Sequence, residues 1–130
     1  LFLFLQKLIN FGARVVTGRR KSEHISDAVR SLNWLSAAAL YQYSTISRFR
    51  AVLHTGEPLS LSENIIVSSD IHNHNTRRSG QFRQPAVRTQ LGKRTFAFSA
   101  PGLYNALPQS MREVGGDFKA TLKEYLLDNT

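Results

Sequence analysis

The sequence predicts a mainly α-helical protein: a small helical bundle in the N-terminal half, a polar basic loop, and a C-terminal helix, with room for one short β-hairpin. Two observations support this prediction. Apolar residues recur at intervals of three and four over several stretches, which is the repeat of one face of an α-helix. The chain also has 130 residues, of which 42% are hydrophobic, and this is enough to build one modest core.

The first helix is predicted to run from Leu1 to Thr17. Its apolar positions are Leu1, Leu5, Leu8, Gly12 and Val15. Its polar positions fall on the opposite side and are Gln6, Lys7, Asn10, Arg14 and Thr17. Gly18 can adopt the left-handed conformation that ends a helix, and a basic run, Arg19-Arg20-Lys21, follows it.

Two further helices are predicted in the N-terminal half. One lies near Ser26 to Leu32, with Ser26 as its cap, and the other begins at Ser36 and ends near His54, before Gly56. The longer helix carries apolar residues at helical spacing, namely Ala39, Tyr43, Ile46, Phe49 and Leu53. The short apolar cluster between these helices, Leu32 to Leu35 with Trp34, is assigned to the core.

The second half is less regular. The polar stretch from Val67 to Gly80 is rich in turn-forming residues and is predicted to be an exposed loop. Two extended pieces, Pro85 to Thr89 and Arg94 to Phe98, could form a hairpin around Gly92. A short helix between Pro101 and Pro108 and a final helix capped by Asp117 complete the chain. We therefore divide the chain into a helical segment at 1–66, a basic flexible loop at 67–92, and an extended piece with C-terminal helices at 93–130.

The charge of the chain favours a polyanionic partner. Lys and Arg number 17 against 9 Asp and Glu, giving a net charge of +8 and a pI near 10.5. The stretch from Ile71 to Met111 contains no acidic residue. The nucleic-acid-binding residues predicted from this stretch are Arg77, Arg78, Arg83, Arg88, Lys93 and Arg94. Gln81, Gln84, Gln90 and Phe82 are interleaved with these cations, and the stretch can offer an aromatic face for a base. The simpler alternative is an ordinary solvated loop.

The run Arg19-Arg20-Lys21 is a second candidate for phosphate contact. A favourable interaction with the preceding helix dipole explains the same residues without any ligand, so both interpretations stand.

No pattern of residues predicts catalysis. Asp70, His72 and His74 alternate, and on an extended segment they would face one side as metal ligands, but the surroundings read as a loop and a polar turn explains them without a metal. His24 and His54 have no nucleophile at a recognisable spacing. The chain has no cysteine, which excludes a thiolate metal site. We expect no catalytic residue, no metal and no cofactor in this chain, and no enzyme activity from it alone.

The first residues indicate a piece of a longer protein. The first residue is Leu1 and not an initiating Met. The five apolar residues that open the chain are far fewer than the roughly 20 needed to cross a bilayer. We expect no membrane partner and a location in the nucleus or cytoplasm, without secretion.

A series of segments in this chain resembles the region after the polymerase core in LINE-type (non-LTR, Jockey-like) retrotransposon reverse transcriptases. The segments are, in chain order, Leu5-Gln6, Asn10 to Gly18, His24-Ile25, Leu32 to Leu35, His54-Thr55-Gly56, Thr76-Arg77, Pro85, Arg88-Thr89, Gly92 to Phe96, Ala100 to Pro108, Met111-Arg112, Phe118-Lys119 and Leu122-Lys123. The stretch Ala100-Pro101-Gly102-Leu103-Tyr104-Asn105-Ala106-Leu107-Pro108 is the most specific of them. Together they span nearly the whole chain, from Leu5 to Lys123.

The resemblance implies a function. Such polymerases copy element RNA into DNA at a nicked target, and paired Asp residues of the palm hold two magnesium ions. No adjacent pair of Asp occurs in this chain. We therefore expect a non-catalytic C-terminal fragment that aids RNA or DNA binding in target-primed reverse transcription, with nucleic acid and the upstream polymerase domain as partners. The alternative is a purely structural remnant that packs on the polymerase core and has no ligand of its own.

Overall fold

The computed structural model describes residues 1–70 and 80–129, and in these residues the protein is mainly α-helical, as predicted. The helices within the described ranges are α1 (Phe2–Thr17), α2 (Ser26–Ser31), α3 (Ala37–Thr55), α4 (Leu59–Ser62), α5 (Gln90–Lys93), α6 (Phe96–Asn105), α7 (Gln109–Arg112) and α8 (Phe118–Asp128). A 3-10 turn covers Ser68–Asp70. The described residues contain no strand longer than an isolated antiparallel bridge between Val67 and Phe82.

The chain forms two compact units. Unit 1 comprises Leu1–Tyr43 and Asp117–Thr130, and unit 2 comprises Ser44–Gly116. The boundary between them falls within α3. The units are defined by packing, whereas the three predicted segments are defined by composition, and the division by composition stays a prediction.

Helix α1 in unit 1 turns inward a mixed face that includes Gln6, Ile9, Gly12 and Ala13. Ala13 is fully buried, and a Cβ at Gly12 would lie 3.6 Å from the Trp34 ring. The Gln6 side chain accepts a hydrogen bond from the Ala37 amide at 2.8 Å, which satisfies a free donor at the start of α3. Small residues allow close approach and an amide supplies a helix cap, so this side of α1 packs on the unit.

The apolar side of α1 is therefore left in solvent. The exposed fraction is 52% for Leu8 and 66% for both Phe11 and Val15. Gly18 ends the helix in the left-handed conformation with φ 68°, as predicted. The predicted helix is confirmed. Of its apolar stripe, Gly12 packs near Trp34, whereas Leu8 and Val15 are more than half exposed.

The caps of the other helices in unit 1 only partly match the sequence predictions. Ser36 accepts a hydrogen bond from the Ala39 amide at 3.2 Å, so the predicted start of α3 is confirmed. Ser26 is not a cap: Ile25 occupies the N-cap position of α2 without a side-chain hydrogen bond, because Ser26 already has a helical backbone. Asp117 caps α8 through the Ala120 amide at 3.2 Å, as predicted.

Helix α8 buries one face at a spacing of four residues. Phe118, Leu122 and Leu126 have exposed fractions of 6%, 0% and 4%. These three residues form the buried stripe of an amphipathic helix.

Unit 2 is organised around aromatic rings. Phe49 on α3 is 1% exposed, and its ring centroid lies 5.2 Å from that of Phe82 and 5.1 Å from that of Tyr104. Phe96 is also in contact, with a centroid distance of 6.4 Å. We call these four residues the aromatic cluster. Tilted and edge-on pairs at such distances add to the free energy of burial.

The predicted hairpin around Gly92 is wrong. Residues 83–88 have no regular structure, and Gln90–Lys93 and Phe96–Asn105 are helical. The sequence predicts Thr89 as a strand residue, but its hydroxyl accepts a hydrogen bond from the Gly92 amide at 3.0 Å and caps α5. Pro101 lies inside α6, so it does not bound a shorter helix as predicted.

Within the described residues, no helix combines the length and the apolarity that crossing a membrane requires.

Replacing Gly56 with Ala should lower the free energy of unfolding by about 1 kcal/mol, because a Cβ is unfavourable in the left-handed conformation. Gly56 has φ 69° and ends α3, and a Cβ there would meet no atom within 4 Å. Gly115→Ala is the matched control, since its Cβ would also meet open space and its φ is not left-handed. Urea denaturation checks the difference, and equal losses for the two variants would contradict the prediction.

Candidate nucleic-acid interface

Four of the basic residues predicted to bind nucleic acid lie in the described part of unit 2. We call Arg83, Arg88, Lys93 and Arg94 the basic set, and all four are exposed. Within the part of the chain that the structure describes, none of the four side chains forms an ion pair or a hydrogen bond with another residue. The two other predicted residues of this segment, Arg77 and Arg78, lie outside the described residues.

Arg83 is attached to a short extended contact. The Arg83 amide donates to the Ile66 carbonyl at 2.7 Å, and the Ser68 amide donates to the Gln81 carbonyl at 2.8 Å. These two bonds flank the bridge between Val67 and Phe82. The backbone of Arg83 is therefore fixed while its side chain projects into solvent.

The neighbouring residue Phe82 is held on its other side by Asn105. The Asn105 side chain accepts from the Phe82 amide at 3.0 Å and donates to the Phe82 carbonyl at 2.8 Å. These bonds join Asn105 on α6 to a residue 23 positions away in the chain. One primary amide thus takes both backbone groups of Phe82, as a strand neighbour would.

The remaining members of the basic set lie on a compact turn. A Cβ at Gly92 would lie 3.1 Å from the Val87 Cβ, so Val87 and the α5 turn are in close contact and a side chain at position 92 would be crowded. The Thr95 hydroxyl donates to the Gly92 carbonyl at 2.7 Å and closes the turn. This packing places Arg88, Lys93 and Arg94 on one short, closed stretch of backbone.

The electrostatics of this region follow from the sequence. No Asp or Glu occurs between Ile71 and Met111, so the basic set has no acidic neighbours along the chain. Exposed Arg and Lys side chains stay hydrated and accessible to a ligand. The Arg guanidinium also presents a fork of donors that matches phosphate oxygens. The arrangement is suited to contact with a polyanion.

The second predicted run, Arg19-Arg20-Lys21, lies in unit 1 and is not uniform. Arg19 is half-buried and its guanidinium donates to the His24 carbonyl at 2.7 Å, so it stabilises the turn between α1 and α2. Arg14 makes a similar bond to the Glu23 carbonyl at 3.3 Å. Arg20 and Lys21 are exposed. The first cation of the run has a structural role, and the other two remain available.

The described candidates for metal and acid–base chemistry are not gathered into a site. His72 and His74 lie outside the described residues, and Asp70 lies on the 3-10 turn. Among residues 1–70 and 80–129, no three His, Asp or Glu side chains are close enough together to hold a metal ion. His24 and His54 are both exposed, His54 in the last turn of α3.

The sequence did not reveal a cleft in unit 2. Its volume is about 470 Å³, and it is lined by Gly80, Gln81, Phe82, Tyr104, Gln109, Arg112 and Glu113. We call it the Phe82 cleft. Its residues are spread over more than 30 positions and three elements. The sequence indicates Phe82 and Gln81 as a face for a base, but no local pattern joins them to α7.

Comparison with known proteins finds no family model, curated protein or solved structure that matches this chain.

Replacing Asn105 with Ala should lower the free energy of unfolding by about 1–3 kcal/mol, because the amide and carbonyl of Phe82 both lose their partner. Asn105→Asp should also lower the free energy of unfolding, because a carboxylate can accept from the Phe82 amide but repels the Phe82 carbonyl. Asn64→Ala, at an exposed residue whose side chain donates to the nearby Ser60 carbonyl, is the control and should cost less than about 0.5 kcal/mol. Urea denaturation gives the free energies, and hydrogen exchange at the Phe82 amide reports the local loss. Unchanged exchange in Asn105→Ala would refute the double hydrogen bond.

Proposed function

We propose that this chain is the C-terminal region of a LINE-type retrotransposon reverse transcriptase and that it contacts nucleic acid through the basic set. The observation that carries the proposal is the exposure of four cations, without side-chain partners in the described chain, within a segment that has no acidic residue. The resemblance of the sequence supports the family. In this proposal the chain is an accessory element and does not itself catalyse nucleotide transfer.

The physical basis of binding is the release of counterions from phosphates. Each Lys or Arg that neutralises a phosphate contributes affinity that falls as salt rises. Arg83 is fixed beside Phe82, and the other three cations lie on the α5 turn, so their backbone loses little freedom on binding. Contacts of this kind position a strand without reading its sequence.

The role follows from the reaction of the family. Magnesium and the paired Asp belong to the palm domain of such enzymes, and nucleotidyl transfer would occur there. The basic set would hold element RNA or target DNA while the first strand is copied. The upstream polymerase domain is the second partner in this proposal.

Charge reversal at Arg88 and Lys93 should weaken binding to single-stranded RNA, because each side chain would then repel a phosphate that it now neutralises. The slope of log affinity against log salt should flatten by about 0.7 per phosphate released on a single strand and by about 0.9 on a duplex. Fluorescence anisotropy of labelled RNA and of a DNA duplex of equal length, titrated across salt, measures both the affinity and the slope.

The control for this experiment is the double variant Lys7→Glu, Lys119→Glu. Both lysines are exposed on helices of unit 1, outside the acid-free segment, and the net charge falls by the same amount. Equal weakening by the two double variants would mean that net charge, and not the basic set, determines binding. Absence of binding by the unmodified chain at low salt would refute the proposed function.

A second function is favoured by a different observation, the exposed apolar side of α1. Leu8, Phe11 and Val15 lie on one helical face and are each more than half exposed, whereas an isolated domain seldom exposes a continuous apolar stripe. A structural remnant that packs on a polymerase core would need such a surface. This alternative assigns the chain no ligand of its own.

Replacing Phe11 and Val15 with Ser should leave the free energy of unfolding within about 0.5 kcal/mol of its original value, because neither side chain is buried. Binding of an apolar fluorescent dye should fall and solubility should rise. Dye titration and urea denaturation test this. A loss of several kcal/mol would show that the face is covered in solution, as a core position would be.

A further inference from the structure

We propose that the Phe82 cleft binds an unpaired nucleobase of the strand whose phosphates contact the basic set. This inference rests on the proposed function and deepens it: it assigns a base site, and it predicts a preference for single strands over duplex.

The walls of the cleft match the chemistry of a base. Phe82 and Tyr104 supply two aromatic rings, with centroids 5.6 Å apart and an interplanar angle of 71°. Gln81 and Gln109 supply amides, which can donate and accept at a base edge. A base needs a π surface to stack on and polar groups around its edge, and single-strand binders commonly provide both.

The charges in the cleft argue against a phosphate as its occupant. Arg112 and Glu113 both line it, so its cation is accompanied by a carboxylate that would repel an anion. A neutral base with both donors and acceptors suits such a pair. Arg83 directly follows Phe82 in the chain and is exposed, so a neighbouring nucleotide of the same strand has a cation one residue away along the backbone.

Two polar groups beside the cleft lack partners. The Arg112 Nε is inaccessible to solvent and has no hydrogen bond within the described residues. Tyr104 is 5% exposed, and its hydroxyl makes no hydrogen bond in that same part of the chain. Unlike the Arg112 Nε, the Tyr104 hydroxyl is not sealed from solvent, so a bound base edge would supply it with a hydrogen-bond partner.

The cleft is held in place by bonds from several elements. Asn105 fixes the backbone of Phe82 through its two hydrogen bonds. Arg50 on α3 donates to the Arg112 carbonyl at 3.0 Å and also to the Val114 carbonyl, which holds the end of α7. The Gln109 amide donates to the Glu113 carboxylate at 2.7 Å across one turn. A preformed site loses less entropy when its ligand binds.

The volume of the cleft, about 470 Å³, falls in the range of about 300–1,000 Å³ that small-molecule sites occupy. A base within a duplex is stacked and paired and cannot enter without leaving the helix. The occupant is therefore a base from a single strand, or from a loop or end of a folded RNA.

The test compares two oligonucleotides with the same backbone, using the full 130-residue chain. One is a single-stranded DNA of uniform sequence, and the other carries abasic sites in place of its central bases. Stacking of a base on an aromatic side chain predicts at least about fivefold weaker binding of the abasic strand. The salt slope should be the same for both, because the phosphates are the same.

Substitutions in the cleft test whether its residues cause the difference in binding between the two strands. Tyr104→Phe keeps the ring in the aromatic cluster and removes the hydroxyl, and Gln109→Ala removes an amide from the rim. Both should reduce the difference between the base-bearing and abasic strands about twofold or more, with the salt slope unchanged. Ser110→Ala, at an exposed residue of the same helix that does not line the cleft, is the control and should keep the full difference. Urea midpoints close to that of the original chain verify the fold.

The outcomes separate this inference from the proposed function. Salt-sensitive binding that is equal for base-bearing and abasic strands would overturn the base site and leave the basic set as the binding surface. A base-dependent difference that Tyr104→Phe and Gln109→Ala leave intact would also overturn it, because the base would then bind elsewhere. Absence of binding to both strands at low salt would refute the proposed function itself.

Discussion

Unit 2 depends on the burial of Phe49. This side chain comes from α3, and around its ring lie Phe82 from the extended contact and Phe96 and Tyr104 from α6. Parts of the chain that are distant in sequence meet at one point, and the short helices α5 and α7 could not be stable in isolation. Both candidate surfaces, the basic set and the Phe82 cleft, are positioned by this contact. Truncation of Phe49 would remove both surfaces together.

The sequence predicted the helices better than their packing. A period of three and four residues located α1, α3 and α8 to within one or two residues, and Gly18, Gly56 and Asp117 marked their ends correctly. The periodicity carries no information on which side of α1 packs, because the deciding features are Gly12 against Trp34 and the bond from the Ala37 amide to Gln6. Such pairs form between residues far apart in the chain, and a single sequence does not show them.

The errors in the second half have a common physical origin. Thr89 and Thr95 are β-branched, which favours a strand, yet both use their hydroxyl groups in the α5 turn. A short run of such residues fits a strand edge and a helix start equally well. The basic set could be predicted because charge is a property of composition. The cleft could not, because it requires α6, α7 and the extended contact to be placed in space.

The double hydrogen bond from Asn105 has a further consequence for solubility. Phe82 is paired with Val67 on one side. Its amide and carbonyl point to the other side, where the Asn105 side chain binds both. In an ordinary two-stranded ribbon those groups form an open edge, to which the strand of another molecule can add. Here a single side chain closes that edge at its centre. The protein thus uses an extended segment to carry Arg83 without presenting a template for intermolecular β-pairing at this position, a safeguard that most sheets obtain from an additional strand, a proline or a bulge.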